Sequence, residues 1–235
     1  MGSEDRLLYL WLATLTAALV VFGLSPHIDL AVSGFFYGPG TGFPLLQSAW
    51  IEAARLVLWT ISEVFCLLAL IGFVLALATG RDALRLPARV WGFVLALYVL
   101  GPGIIVNGLL KRYWGRARPD AIAEFGGDKV FSAPLIPSDQ CAANCSFVSG
   151  EAAAATALGI TLFVILWHFG RGLTPAAWRI GCAIAIVVPV TGAAMRVIVG
   201  RHFLSDVIFA ILIVSGIALA LNRLILRGRG GSRHP

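Results

Sequence analysis

The chain has 235 residues, of which 59% are hydrophobic and only 13% charged, against roughly 45–50% and about 25% in an average soluble domain. That composition excludes a disordered chain, a nucleic-acid-binding arm and an ordinary water-soluble globule. The net charge of +6 is then a bias in the loops of a membrane protein rather than a surface for nucleic acid, because the charges avoid long stretches of the chain.

Six apolar stretches, approximately 7–24, 57–79, 90–110, 150–169, 178–194 and 203–226, are each close to the length that crosses a bilayer core. Lipid leaves the backbone to satisfy its own hydrogen bonds, so the expectation is an all-α bundle of six transmembrane helices forming a single domain over 1–235. The first stretch reads as a retained helix, since Glu4 and Asp5 offset Arg6 ahead of it and further spans follow. Between the first two spans the chain is rich in Gly and Pro, and 45–56 is expected to form a short interfacial helix with Trp50 and Leu56 on its apolar side. The Arg/Gly tail at 227–235 reads as disordered and attracted to lipid headgroups.

Six spans put both termini on one side. Lys and Arg number ten on that side and eight on the other, where several belong to short motifs with a chemical use of their own. The expectation is cytoplasmic termini, with the motif loops facing outward from a bacterial inner membrane.

Three charged clusters fall at that outward side. The first, Lys111-Arg-Tyr-Trp-Gly-Arg-Ala-Arg118-Pro119, ends the third span. On a helix continued to Arg118, seven steps of about 100° would set Lys111 and Arg118 on one stripe, suited to an extended anion such as phosphate. Asn107, one turn earlier, is expected to orient the lysine. The second, Ser146-Phe-Val-Ser149-Gly150-Glu151, opens an Ala-rich span. Ser149 is an N-cap, Gly150 permits close backbone approach, and the free N–H groups of the helix end favour an anion. Glu151 reads either as a helix-dipole carboxylate or as a proton donor beside a bound phosphate. The third runs from Arg196 through Gly200 to His202 and Asp206. His202 and Asp206 at i,i+4 would share a helix face, the carboxylate orienting the imidazole, and Gly200 supplies the turn that brings Arg196 to the same site.

Taken together the clusters describe a phosphoryl-transfer site without a metal or other cofactor: no carboxylate group of the kind that holds Mg²⁺ stands among them. Lys111, Arg118 and Arg196 are the cations, Ser149 and Gly150 the helix-end donors, His202 the nucleophile, Asp206 its orienter and Glu151 the candidate acid. Arg116 and Arg201 flank the motifs as further candidates for substrate contact. Cys141 and Cys145, separated by Ala-Ala-Asn, either close a small disulfide in an oxidising compartment or stand as free thiols.

These residues resemble the type 2 phosphatidic acid phosphatase (PAP2) family of integral-membrane lipid phosphatases, whose pattern is K-x6-R-P, then P-S-G-H, then S-R-x5-H-x3-D. The first motif is matched at Lys111, Arg118 and Pro119, the third at Arg196, His202 and Asp206 with Met195 in place of Ser, and the second departs, with Val148-Ser149-Gly150-Glu151. The resemblance implies a membrane lipid phosphatase acting through a phosphohistidine. Its substrate would be an envelope lipid phosphate, with lipid A ahead of undecaprenyl diphosphate, phosphatidylglycerol phosphate and phosphatidic acid. The Glu in place of His also leaves open a silent scaffold that only binds lipid phosphate.

Overall fold

A computed structural model describes residues 2–227, and in it every apolar run becomes a helix. In chain order these are α1 (Ser3–Leu24), the short α2 (Ile28–Gly34), α3 (Ala49–Thr79), α4 (Ala88–Tyr113), α5 (Gly150–Phe169), α6 (Pro175–Ile198) and α7 (Leu204–Leu226). Six of them, all but α2, are long and apolar enough to cross a membrane. Of the basic tail, all but Arg227 lies outside the described residues.

The bundle is built around α5, which packs on α3, α4, α6 and α7. Its N-terminal half is rich in small residues, Ala152 to Ala155, Ala157 and Gly159, and these are buried. Small side chains let helix backbones approach closely where lipid gives no hydrophobic drive for association. Gly192 of α6 shows the tolerance: a Cβ there would sit 2.6 Å from that of Ala155. By contrast α1 and the middle of α3 expose Leu10, Leu19, Leu67, Leu70 and Ile71, the pattern of a face turned to lipid tails.

Three local expectations are corrected. Residues 45–56 do not form a separate interfacial helix; a single turn at Pro44–Gln47 leads into α3, whose 31 residues carry Glu52 and Arg55 on its first turns. Helix α4 does not continue to Arg118. Gly115 has φ +70°, and a Cβ there would lie 1.6 Å from the Ser138 carbonyl oxygen, so the chain leaves the helix at a position open only to glycine. Nor is His202 on the same helix as Asp206, since α7 begins at Leu204 with Phe203 as its cap. Within α4, residues Val99–Leu110 follow a widened helix around Pro102, whose missing N–H and ring displace the ordinary i→i+4 ladder. The Asn107 amide donates to the Pro102 carbonyl (2.7 Å), so Asn107 is bound to its own helix and not to Lys111.

At the end of the bundle where α5 and α7 begin lies a fully enclosed charge cluster. Arg116 has no solvent exposure. Its guanidinium donates to Asp29 of α2 (2.8 Å), to Asp206 of α7 (2.7 Å), to the Ser205 hydroxyl (2.9 Å) and to the Ser132 carbonyl (2.9 Å). Its other faces are apolar, the Phe203 ring centroid lying 4.2 Å away. Asp29 in turn accepts from the Ser205 N–H (2.8 Å) and hydroxyl (2.5 Å). Burial raises the Asp29 carboxyl above its usual range while Arg116 pulls it back. Arg116 is therefore no substrate contact; it ties the loop after α1 and the stretch after α4 to the start of α7. An Arg116→Met protein, which strands two buried carboxylates, is expected to lose about 3–5 kcal/mol of stability in thermal or denaturant unfolding in detergent. A cost below about 1 kcal/mol, the size of an exposed pair, would contradict this placement.

Candidate active site

His202 stands just before α7, buried to 2% exposure. Its Nδ1 lies 2.8 Å from the Ser146 carbonyl oxygen and 3.6 Å from the Asp206 carboxylate. A carbonyl can only accept, so Nδ1 carries the proton and Nε2 keeps its lone pair. The orienting group is thus the Ser146 backbone, with Asp206 acting behind it. Asp206 accepts from the Ser146 hydroxyl (2.5 Å), the Phe203 N–H (2.9 Å) and Arg116. Burial drives the imidazole pKa down to about 4, against the opposing pull of Asp206.

The turn at Gly200 brings Arg196 to this histidine. Gly200 has φ +67°, and a Cβ would meet the Phe43 ring at 2.5 Å. The N–H groups of Arg201 and His202 both bond the Arg196 carbonyl at 3.1 Å, so cation and imidazole share one rigid turn.

Lys111 and Arg118 converge through one residue rather than along a helix stripe. Asn144, in the left-handed region with φ 52°, accepts from Lys111 through its side-chain oxygen (3.0 Å) and from Arg118 through its carbonyl (2.9 Å). Cys141 and Cys145 are joined by a disulfide that closes the loop carrying Asn144, and the Cys145 N–H bonds the Lys111 carbonyl (3.2 Å). Burial, and next Arg201, lowers the basicity of the Arg118 guanidinium from its usual value.

The second motif closes the cradle. Ser149 caps α5 by accepting from the Ala152 N–H (3.3 Å), and its own N–H bonds the Asp206 carbonyl (3.2 Å). The N–H groups of Gly150 and Glu151 precede any helical acceptor and are left for an anion. Gly150 is required by close packing, since a Cβ would lie 2.7 Å from the Asn107 side-chain oxygen. Glu151 is ion-paired at both carboxylate oxygens: one accepts from Arg55 of α3 (2.9 Å) and the other meets Arg196. A polar cleft lined by Glu52, Arg55, Arg118, Glu151, Arg196 and Arg201, with Leu46, Ile51 and Val199, opens above. Arg201 is held there by Asp120 (2.9 Å).

All eight catalytic and phosphate-binding candidates therefore meet at one end of the bundle. The sequence reading passed over Asn144, Ser146, Asp29 and the reach of Arg55 to Glu151. Asp29 did carry a signal, an acid alone within the apolar run Ile28–Val32; a backbone carbonyl such as that of Ser146 carries none.

This arrangement, a neutral imidazole beside three cations and a helix N-terminus within a membrane bundle, defines a class of membrane-embedded phosphoryl-transfer sites. Residues 91–228 match the PAP2 superfamily, and the chain belongs to it. A lipid A 4'-phosphatase of Francisella tularensis subsp. novicida (strain U112) is 32% identical over 201 residues, 82% of this chain and 83% of its own. Another from Rhizobium leguminosarum is 32% identical over 222 residues, 88% and 92% of the two chains. The crystal structure of the first transmembrane PAP2 type phosphatidylglycerolphosphate phosphatase from Bacillus subtilis shares the fold, with a TM-score of 0.60 at 18% identity over 99% of this chain and 100% of that one. The protein is an integral-membrane lipid phosphatase.

The state of His202 is directly measurable. In NMR of ¹³C/¹⁵N-histidine-labelled protein, assigned with a His202→Gln variant, the imidazole should stay neutral and Nδ1-protonated from neutral pH down to about 4. A midpoint at about 6.5, the free value, would contradict the burial and the Ser146 contact.

Proposed function

We propose that the protein removes the 4'-phosphate of lipid A at the outer face of a bacterial inner membrane. The reading is carried by His202, whose Nδ1 is committed to Ser146, which leaves Nε2 its lone pair, and whose imidazole lies within the field of Lys111 and Arg118. The relatives named lipid A 4'-phosphatase match over most of their length, which favours lipid A over other lipid phosphates. The ten-to-eight bias of basic residues and the Cys141–Cys145 disulfide beside the site favour a periplasmic location.

In this reading the phosphate sits among Lys111, Arg118, Arg196 and the N–H groups at the start of α5. Nε2 of His202 attacks phosphorus in line, an N–P bond forms, and the P–O bond to the lipid breaks. Arg196 turns from Glu151 to the phosphate, and the released carboxylate takes up a proton from solvent and passes it to the departing oxygen. Glu151 then takes a proton from water as it attacks the phosphohistidine, which releases inorganic phosphate and restores the imidazole. The cations gathered on the phosphate and the N–H donors at the start of α5 stabilise the equatorial oxygens, the principal source of rate in such transfers.

Purified protein in detergent is expected to release phosphate from lipid A with EDTA present, and the His202→Ala protein to release none above background. Glu151→Gln should slow a phosphomonoester by about 10²–10⁴-fold, the usual worth of a general acid, and slow a lipid diphosphate less, since phosphate is the better leaving group. Undiminished release by His202→Ala would reject the nucleophile, and absence of release by the wild type from any phosphorylated lipid would favour the silent scaffold.

A further inference from the structure

The cleft holds a carboxylate where an anion must bind. Glu151 lies among the cations of the phosphate site, its side chain 21% exposed, and alone it would both repel a phosphate and occupy Arg196. Arg55 answers this from a different helix. It reaches across 96 residues of sequence to donate Nη1 to Glu151 Oε1 at 2.9 Å. Glu52 fixes it from one turn before, accepting from Nε at 2.7 Å and pairing with Nη2. The extension of α3 by its first turns brings this pair to the cleft mouth.

Arg196 meets Glu151 through Nε alone, so among the described residues its two terminal amino groups are left for a ligand. Of the cleft-lining groups, four guanidiniums (Arg55, Arg118, Arg196 and Arg201) face two carboxylates (Glu52 and Glu151). Adding Lys111, and Asp120, which pairs with Arg201, leaves that surplus of two positive charges unchanged, and it matches a phosphate dianion.

We propose that Arg55 is a positioning residue of the phosphate site: by holding one half of the Glu151 carboxylate it neutralises that charge and leaves Arg196 able to turn to an incoming phosphate dianion. The inference rests on the phosphatase reading of the cleft and assigns Arg55 a role through Glu151, not a contact with the lipid. Its mark is charge coupling. Loss of Arg55 should weaken phosphate binding because Glu151 remains, and loss of both should be milder than loss of Arg55 alone.

The test is titration calorimetry of the full-length protein in detergent with inorganic phosphate at pH 8, where phosphate is a dianion. Arg55→Gln should weaken binding by about tenfold or more, and Arg55→Gln with Glu151→Gln should return it to within about threefold of wild type. Arg55→Lys, which keeps the charge, should also stay within about threefold, and it serves in the same way if the Gln variant does not fold. Binding unchanged in Arg55→Gln, a loss that the double variant does not recover, or a loss in Arg55→Lys equal to that in Arg55→Gln would each overturn the proposal. Lipid hydrolysis by the same preparations separates the two readings. A wild type that hydrolyses lipid phosphate beside an Arg55→Gln protein of unaltered phosphate affinity defeats only the role of Arg55, whereas a wild type that neither hydrolyses nor binds defeats both.

Discussion

Arg116 is a cation enclosed by protein, and the end of the bundle where α5 and α7 begin is arranged around its neutralisation. Taking a guanidinium and two carboxylates out of water costs several kcal/mol for each ion, and only close pairing backed by further hydrogen bonds recovers that cost. Asp29, Asp206, Ser205 and Ser132 together provide it. The consequence is positional. Asp206 cannot shift without stranding Arg116, Ser146 is held by Asp206, and the Ser146 carbonyl fixes the tautomer of His202. The buried ion pair thereby determines which ring nitrogen of His202 keeps its lone pair.

Above this buried layer the charges are of another kind. Lys111, Arg118 and Arg196 are held lightly, by Asn144 or by one edge of Glu151, and remain free to regroup around a ligand. Rigid ion pairs underneath and exchangeable ones on top suit a site that must hold a nucleophile still while accepting and releasing a dianion. The glycines at 115, 150 and 200 permit the two layers to meet. Gly115 and Gly200 turn at positive φ where a Cβ would strike a neighbour, and at Gly150 a Cβ would press on the Asn107 side-chain oxygen at 2.7 Å.

Much of this was legible in the sequence. Apolar runs of about 20 residues are unambiguous in lipid, because helices are the structures that satisfy the backbone there, and all six spans emerge where the composition put them. The motif residues were legible as chemistry: cations, a capped helix start, and a histidine with a carboxylate four residues on. Their geometry was not. Regular helical spacing suggested shared faces for Lys111 with Arg118 and for His202 with Asp206, yet both pairs straddle a helix end and meet through loops. The missing information lay in tertiary contacts: a carbonyl at Ser146, a two-handed acceptor at Asn144, and the reach of Arg55 to Glu151 across 96 residues of sequence.

The account depends on residues from three remote stretches forming one anion cradle with Nε2 of His202 at its floor. A crystal structure with orthovanadate, which mimics phosphate in transfer, examines this most directly. Vanadium should be bonded to Nε2 of His202, with its oxygens on Lys111, Arg118, Arg196 and the N–H groups at the start of α5, while Arg116 stays on Asp29 and Asp206. Vanadate bonded to another side chain, or seated away from His202, would contradict it.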